Sequence, residues 1–474
     1  MEATEILAMR RVQICRVRKK GEIMTSRFGA LAIVAAGIFL VSAASAQTLE
    51  EALVMAYQNN PTLQSQRASL RATDESVSQA LSGWRPTVTL SGDAGLSHSD
   101  GVSTGSSDSK PRSAALRLTQ PLYRGGRTVN GVAQAEANIE AARQALRQTE
   151  QGVLQGTVRA YMDVLRDESV VELNQANLDR LGRQLDATRD RFEVGELTRT
   201  DVAQAEARVS GAISSLVAAQ GVRESSRATF RRVIGLEPLN LSRVPALGAL
   251  PEDVEGARLI ALEENPVIRQ AIRSEEASRA AVEVANGVIL PSVNLSSSLS
   301  RSYDTSSFNY RTDAVSVTAT VTVPLYQSGS EYSKIRQAKQ TNSQRRIDIE
   351  TQRRSVIESV TKAWATLNSA TEQIRANVDQ VIAAEVALDG VQQEAEVGAR
   401  TVLDVLDAEQ ELLNAQVTLV RTERDEFVAG FDLRVALGRL SANQLGLPVA
   451  IYDPTSNYQS VRNKLYGRDV PSGP

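Results

Sequence analysis

Arg400, Asp404 and Asp407 stand close together in the segment VGARTVLDVLDAEQ, which otherwise has the composition of a helix. The two aspartates are three residues apart, so a helix places both carboxylates on one face. Such a face attracts cations, or an arginine whose planar fork of donors matches a carboxylate. Repeated around a symmetry axis, the two aspartates would form two acidic rings.

A second segment, VGELTRTDVAQAEA, repeats this frame 203 residues earlier, with Asp201 at the position of Asp404. Gly195 and Gly398 suit helix C-termini that turn through a left-handed conformation. Each segment therefore predicts a turn between two helices. Thr200 and Thr401 are expected as the residues that cap the returning helices with their hydroxyl groups.

The duplication extends over most of the chain. Asn60-Pro61 recurs as Asn265-Pro266, and the motif PLYRGG recurs as PLYQSG. We therefore predict a first structural repeat at residues 47–256, a second at 257–450 and a C-terminal tail at 451–474.

Long helices are predicted after each PLY motif, beginning at Gly126 and Gly329 and lasting nearly seventy residues. At 1.5 Å per residue, each would measure on the order of 100 Å. The returning helices are expected from about Thr200 to Val233 and from Thr401 to Leu437. A heptad repeat supports the long helices, since such spacing is typical of helices wound against neighbours. Its members are Thr157, Val164, Val171, Leu178 and Leu185 in the first half and Val360, Leu367, Ile374, Val381 and Leu388 in the second.

Before each PLY motif the period changes to two, which predicts two strands per half and four per chain. The apolar positions are Val88, Leu90, Ala94 and Leu96 in the first half and Val315, Val317, Ala319, Val321 and Val323 in the second. The polar segments SDGVSTGSSDSKPRS and SYDTSSFNYRTD are expected as loop tips. Four strands cannot close a barrel, so in a membrane the chain must oligomerise. Three copies would supply twelve strands; a soluble sandwich is the alternative.

The N-terminal residues 1–46 are predicted to be an extension and a signal peptide. Arg27 precedes the short apolar run from Leu31 to Val41, and a small-residue cleavage site follows at 44–46. The true start is either Met1 or Met24. Removing this segment leaves 46 basic and 53 acidic residues, a net charge of −7. That balance argues against a nucleic-acid partner.

Enzymatic chemistry finds little support in the residues. The chain has one histidine, and its one cysteine, Cys15, lies in the predicted signal segment. No phosphate-binding loop and no serine elbow is recognisable. We therefore expect no enzyme, no cofactor and no metal centre. His98, beside a serine-rich segment, is expected to be an exposed loop residue.

Together these features resemble the TolC family of outer-membrane exit ducts, over essentially the whole mature chain. The resemblance rests on the duplicated halves, the PLY motifs, the tail YDPTSNYQSVRNKLYG and above all VGARTVLDVLDAEQELLNAQ. It implies an α+β membrane protein that is a homotrimer, with a shared twelve-stranded barrel in the outer membrane. Coiled-coil helical hairpins would form an α-barrel in the periplasm. A periplasmic adaptor and an inner-membrane pump of ABC or RND type would engage its far end.

The resemblance also implies roles for the hairpin ends. Arg400 would bind Thr200 and Asp201 of another hairpin and hold the entrance shut, while Asp404 and Asp407 would form acidic entrance rings. Ala395 stands where some members have a tyrosine that adds a second lock. Adaptor contacts are expected at both turns, at Gly195, Glu196, Gly398 and Ala399.

A trimeric exit duct for efflux or type I secretion is the function that these residues favour. A non-conducting periplasmic coiled coil is the alternative, although it has no use for four alternating strands. The cargo, whether protein or small molecule, and the identity of pump and adaptor are not readable from the sequence.

Overall fold

The structure, a computed structural model, describes residues 47–102, 105–244, 247–305 and 310–470. The predicted signal segment and the last four residues lie outside these ranges. Within them, no helix is both long enough and apolar enough to cross a membrane.

Helices make up most of the described chain, and they occur in two equivalent sets. The first set is α1 (Leu49–Asn59), α2 (Pro61–Leu81), α3 (Arg127–Glu193) and α4 (Arg199–Ile234); the second is α5 (Val254–Glu264), α6 (Pro266–Asn286), α7 (Ser330–Glu396) and α8 (Val402–Leu437). A short helix, α9 (Ser456–Val461), follows in the tail. Because α5 begins at Val254, it crosses the repeat boundary predicted at residues 256 and 257.

The two long hairpins confirm the duplication predicted from the sequence. α3 and α7 each contain 67 residues, and α4 and α8 each contain 36. All four begin and end at positions that differ by 203 residues between the halves. Both long helices begin directly after the glycines Gly126 and Gly329, as predicted. The heptad positions Thr157, Val164, Val360 and Leu367 are buried.

Asparagine side chains tie the short helices to the ends of the hairpins in both halves. Asn60 accepts a hydrogen bond from the Thr62 amide at 2.9 Å, which caps α2, and its Nδ2 donates to the Val233 carbonyl at 2.8 Å. Asn265 makes the same pair of bonds, to Val267 at 2.9 Å and to Ala436 at 2.8 Å. Buried polar groups require such partners. The recurring Asn-Pro motif therefore fixes where each returning helix meets the short helices.

The helices of one chain lie side by side in the order α4, α3, α8 and α7, since α3 packs against α4 and α8, and α8 packs against α7. An apolar core at the base of this layer joins α1, α3 and α8. Its central residue, Tyr161, is fully buried and donates its hydroxyl proton to a backbone carbonyl, with both Gln47 and Ser242 oxygens at 2.7 Å. The arrangement leaves α4 and α7 as the two flanks of the layer.

Four antiparallel strands form one open sheet. Their order across the sheet is β1 (Thr87–Ala94), β4 (Arg112–Arg124), β5 (Ser292–Tyr303) and β6 (Arg311–Thr322). The four predicted strands are therefore confirmed as the members of this sheet. β1 and β6 are the edges, and every residue of both is exposed in the single chain. Val315, Val317 and Val321 expose 75%, 68% and 63% of their surface.

One predicted loop contains a strand pair instead. β2 (Ser97–Gly101) and β3 (Gly105–Ser109) pair antiparallel, and most of their residues belong to the segment that was expected to be a loop tip. His98 lies on β2 opposite Asp108, with Nδ1 2.6 Å from its carboxylate oxygen. The prediction failed because serine and glycine conceal the period of two. His98 is exposed, as expected, but it belongs to a strand.

Candidate functional site at the hairpin ends

The first hairpin turns through a glycine in the left-handed conformation. Gly195 has φ of 82°, and its amide donates to the Phe192 carbonyl at 3.0 Å. The next amide, of Glu196, donates to the Arg191 carbonyl at 2.9 Å. These two bonds satisfy carbonyls at the end of α3 in the Schellman arrangement.

The second hairpin repeats this geometry. Gly398 has φ of 78°, its amide donates to the Ala395 carbonyl at 3.2 Å, and the Ala399 amide donates to the Glu394 carbonyl at 2.8 Å. A side chain at either glycine would meet no other atom within 4 Å. Glycine is therefore favoured by the backbone conformation alone.

Thr198, and not Thr200, caps the returning helix of the first hairpin. Its hydroxyl accepts from the Asp201 amide at 3.3 Å, and the carboxylate of Asp201 accepts from the Thr198 amide at 2.9 Å. Thr200 lies one residue inside α4 and is exposed. The prediction of Thr200 as the cap is wrong because Asp201 must lie three residues beyond the cap to close the capping box. The signal in the sequence that could have identified this cap is a hydroxyl residue three positions before a carboxylate, as in Thr198 and Asp201.

The predicted cap of the second hairpin is confirmed. Thr401 accepts from the Asp404 amide at 3.3 Å, and Asp404 Oδ2 accepts from the Thr401 amide at 3.0 Å. These backbone hydrogen bonds hold the pKa of Asp404 below its ordinary value, and the same bonds from Thr198 lower the pKa of Asp201. Both carboxylates are therefore charged at neutral pH.

Arg400 is held by its own hairpin in the single chain. Its Nε donates to Glu394 Oε2 at 2.8 Å, while Asp201 is occupied by its cap. No contact joins Arg400 to Thr200 or Asp201 within the described part of one chain. The other hairpin contains a similar local pair, Arg191 with Glu196 at 3.0 Å.

A different pair does connect the two hairpins. Arg208 of α4 donates to the carboxylate of Asp407 on α8. An apolar cluster also joins the two hairpins, and in it Leu181 and Leu185 of α3 pack with Val402 and Leu406 of α8. Arg208 and Glu394 were not predicted from the sequence, because partners that are distant along the chain or across a turn leave no local pattern.

Asp404 and Asp407 are both on α8, as predicted, but their surroundings differ. Asp404 belongs to the cap, whereas the charge of Asp407 is balanced by Arg208. No group of three or more histidine, cysteine, aspartate or glutamate side chains within the described ranges could hold a metal ion. The hairpin ends therefore combine caps and ion pairs, a chemistry suited to holding or releasing neighbouring helices.

Each half contributes two strands to one open sheet and one long helical hairpin, an architecture that is shared with an outer-membrane channel of known structure. The family model described as "Outer membrane efflux protein" matches residues 52–236 and 259–439. The chain belongs to this family, and its place is therefore the outer membrane.

Relatives of known name agree over nearly the whole length. Outer membrane efflux protein BepC of Brucella suis is 38% identical, with 94% of this chain and 97% of that protein covered. Outer membrane protein TolC of Vibrio cholerae is 30% identical, with 87% and 96% covered. The crystal structure of the Campylobacter jejuni CmeC outer membrane channel shares the fold, with a TM-score of 0.75 at 14% identity and 88% and 89% coverage.

Proposed function

We propose that three copies of this chain form a passive duct across the outer membrane, gated at the hairpin ends. The observation that carries the proposal is the open four-stranded sheet. Its edge strands, β1 and β6, are exposed, and unpaired backbone groups are costly in lipid. Three sheets joined edge to edge would give twelve strands and leave no edge.

The helical layer supports the same head-to-tail closure. α4 and α7 are its flanks, and each carries exposed apolar residues. Ile213 on α4 and Ile382 on α7 both lie 14 residues from the hairpin ends of their helices, and Val217 and Val378 both lie 18 residues away. Because these residues lie at the same distances from the hairpin ends, those on α4 of one copy could pack against those on α7 of the next copy. An interface of this head-to-tail kind generates a ring when its rotation closes.

Arg400 is proposed to close the entrance by binding Thr200 and Asp201 of another copy. Asp201 uses only Oδ2 in its cap, so Oδ1 is available to accept a guanidinium hydrogen. The Thr200 hydroxyl is exposed beside it. In this account Arg400 exchanges Glu394, its partner in the single chain, for Asp201 when the hairpins of three copies converge.

The acidic rings are proposed to make the closed entrance attractive to cations. Asp404 is partly exposed and keeps its charge at neutral pH, because its cap lowers its pKa. Asp407 contributes less net charge, because each copy brings Arg208 with it. A narrow mouth lined by three or more carboxylates favours cations over anions.

A periplasmic adaptor is proposed to dock on the hairpin turns, at Gly195, Glu196, Gly398 and Ala399. These residues are exposed at the far end of the helices. Through the adaptor, the duct would serve an inner-membrane pump of ABC or RND type. The chain itself is proposed to carry out no enzymatic step.

Planar-bilayer recording of the purified chain tests this function, with the oligomer mass measured on the same sample. We expect a trimer that gives single, cation-selective channels of low conductance. A folded sample that stays monomeric and never conducts would instead support a non-conducting periplasmic coiled coil.

A further inference from the structure

A carboxylate is buried in the apolar contact between the two hairpins. Glu409 of α8 is 3% exposed and lies on the same buried face as Leu406 and Leu413. Charged side chains are rarely buried so completely without a partner. Glu409 lies five residues beyond Asp404 and does not belong to the cap or to the acidic rings.

The polar groups around Glu409 are not mutually satisfied. Within the described residues, Glu409 Oε2 and Asn177 Oδ1 have no hydrogen-bond partner, and neither do Nε and Nη2 of Arg180. Asn177 and Arg180 belong to α3, on the other hairpin, and Asn177 is 2% exposed. The carboxylate of Glu409 on α8 and the guanidinium of Arg180 on α3 are thus electrostatic neighbours that form no hydrogen bond with each other. Buried polar atoms left in this state are costly.

The charged neighbours of Glu409 come from one helix. Burial raises the pKa of Glu409, and the guanidinium groups of Arg180 and Arg183, both on α3, act in the opposite direction. Two other charged residues near Glu409 along the hairpins bind partners of their own. Arg208 of α4 binds Asp407, and Glu411, which turns toward α7, accepts from Gln380 at 3.3 Å.

We infer that Glu409 and Arg180 are a proton-controlled pair that shifts the hairpins between two packings. When Glu409 is protonated, it fits the apolar contact, and α8 stays packed on α3 as in this structure. When it is ionised, the charge attracts the guanidinium of Arg180, and α8 and α3 repack around the new pair. The inference rests on the proposed duct, because the same movement would loosen the entrance.

The sign of the pH effect follows from the raised pKa. An acid whose pKa is higher in the folded chain than in the unfolded chain favours folding when protonated. The present packing is therefore most stable at acid pH, and its stability falls as the pH rises from the unfolded value of about 4.3 through the folded value. The caps of Asp201 and Asp404 respond in the opposite direction, since their pKa values are lowered.

Thermal unfolding of the purified protein between pH 4.5 and pH 8 tests the inference, for the wild type, Glu409→Gln and Glu411→Gln. We expect the wild-type midpoint to fall by about 2 °C across this range. Glu409→Gln should remove most of that fall and keep a high midpoint at pH 8. Glu411→Gln, two residues away and exposed, should retain the wild-type slope. Equal slopes in all three proteins would overturn the inference.

Arg180→Leu provides an independent check in case glutamine disturbs the fold. Without Arg180, ionised Glu409 has lost its nearest donor, so the fall in midpoint with pH should become steeper. Adding Glu409→Leu to that variant should restore the lost stability at pH 8. If the effects of the two changes simply add, Glu409 and Arg180 do not interact, and the inference fails.

In bilayers, the open probability of the wild-type channel should rise severalfold from pH 4.5 to pH 8. Absence of any channel, with the unfolding slopes intact, would refute the duct and leave the pair standing.

Discussion

Arg400 Nε donates to Glu394 Oε2 at 2.8 Å across the turn of the second hairpin. The arginine that the family resemblance assigns to a bond between hairpins is thus held locally in the single chain. Both side chains are about half exposed, so the bond can exchange with other partners. In the proposed closed entrance, Glu394 would therefore compete with Asp201 of a neighbouring copy for the same guanidinium.

Glu394→Gln should tighten the closed entrance. Removing the local carboxylate frees Arg400 to bind Asp201, so we expect open probability in planar bilayers to fall severalfold relative to the wild type. Glu196→Gln removes the glutamate of the local ion pair in the first hairpin, whose partner is Arg191, and should leave gating unchanged. An increase in open probability in Glu394→Gln would show that Glu394 supports the latch.

Thr198→Ala should destabilise the start of α4 by about 1 kcal/mol, the typical cost of losing a hydroxyl cap. Hydrogen exchange of the Asp201 amide, which bonds to the Thr198 hydroxyl, should accelerate severalfold. Thr200→Ala is the matched control and should leave this exchange unchanged. Faster exchange in Thr200→Ala alone would show that Thr200, the residue expected from the sequence, is the cap.

The accuracy of the sequence predictions depended on how local each signal was. The ends of α3 and α7 were predicted within a few residues, because glycine and heptad positions act over one or two turns. The β2–β3 hairpin was missed, because its serine-rich strands have no apolar alternation. Thr198 was missed although its spacing from Asp201 matches that of Thr401 from Asp404.

Residues that act across the fold were beyond sequence reasoning. Arg208 and Asp407 are 199 positions apart and meet only because α4 and α8 belong to neighbouring hairpins. Nothing in the sequence indicates that Glu409 is buried, because the buried face of α8 is defined only by its packing against the other helices. Contacts between copies, including the proposed bond from Arg400 to Asp201, remain predictions for the same reason.

Gly398→Val should distort the second turn. Gly398 has φ of 78°, a conformation that costs a residue with a side chain roughly 1–2 kcal/mol. We expect the variant to have a lower unfolding midpoint and weaker capture of an adaptor. Gly398→Asn is the control, because asparagine tolerates this conformation and should keep stability near the wild type. Normal stability with lost adaptor binding in both variants would indicate that the surface, and not the backbone, matters.

Ile213→Glu should prevent assembly of the ring, since it places a charge in the proposed contact between α4 and α7. We expect monomers by native mass measurement. Combining it with Ile382→Lys, at the same height on α7, should restore trimers in part. Ser215→Glu, an exposed position on the opposite side of the same helix, controls for added charge. Trimers in Ile213→Glu would show that these flanks do not meet.

Strong acid should loosen both caps. The pKa values of Asp201 and Asp404 are lowered by backbone hydrogen bonds, so their stabilising effect is complete above about pH 4, the ordinary aspartate value. It is lost as the pH falls through the lower folded values. Amide exchange at the starts of α4 and α8, corrected for intrinsic rates, should therefore increase below pH 4. In the double variant Asp201→Asn, Asp404→Asn this increase should disappear; its persistence would rule out the caps as its source.

Single-channel conductance of Arg400→Ser beside the wild type tests the central claim most directly. Serine removes the guanidinium that we propose to bridge two copies, and the control Arg191→Ser removes the arginine of the local ion pair in the other hairpin. A gated trimeric duct predicts low, cation-selective wild-type conductance that rises severalfold in Arg400→Ser and stays low in Arg191→Ser. Equal conductance in all three proteins would contradict a gate at the hairpin ends.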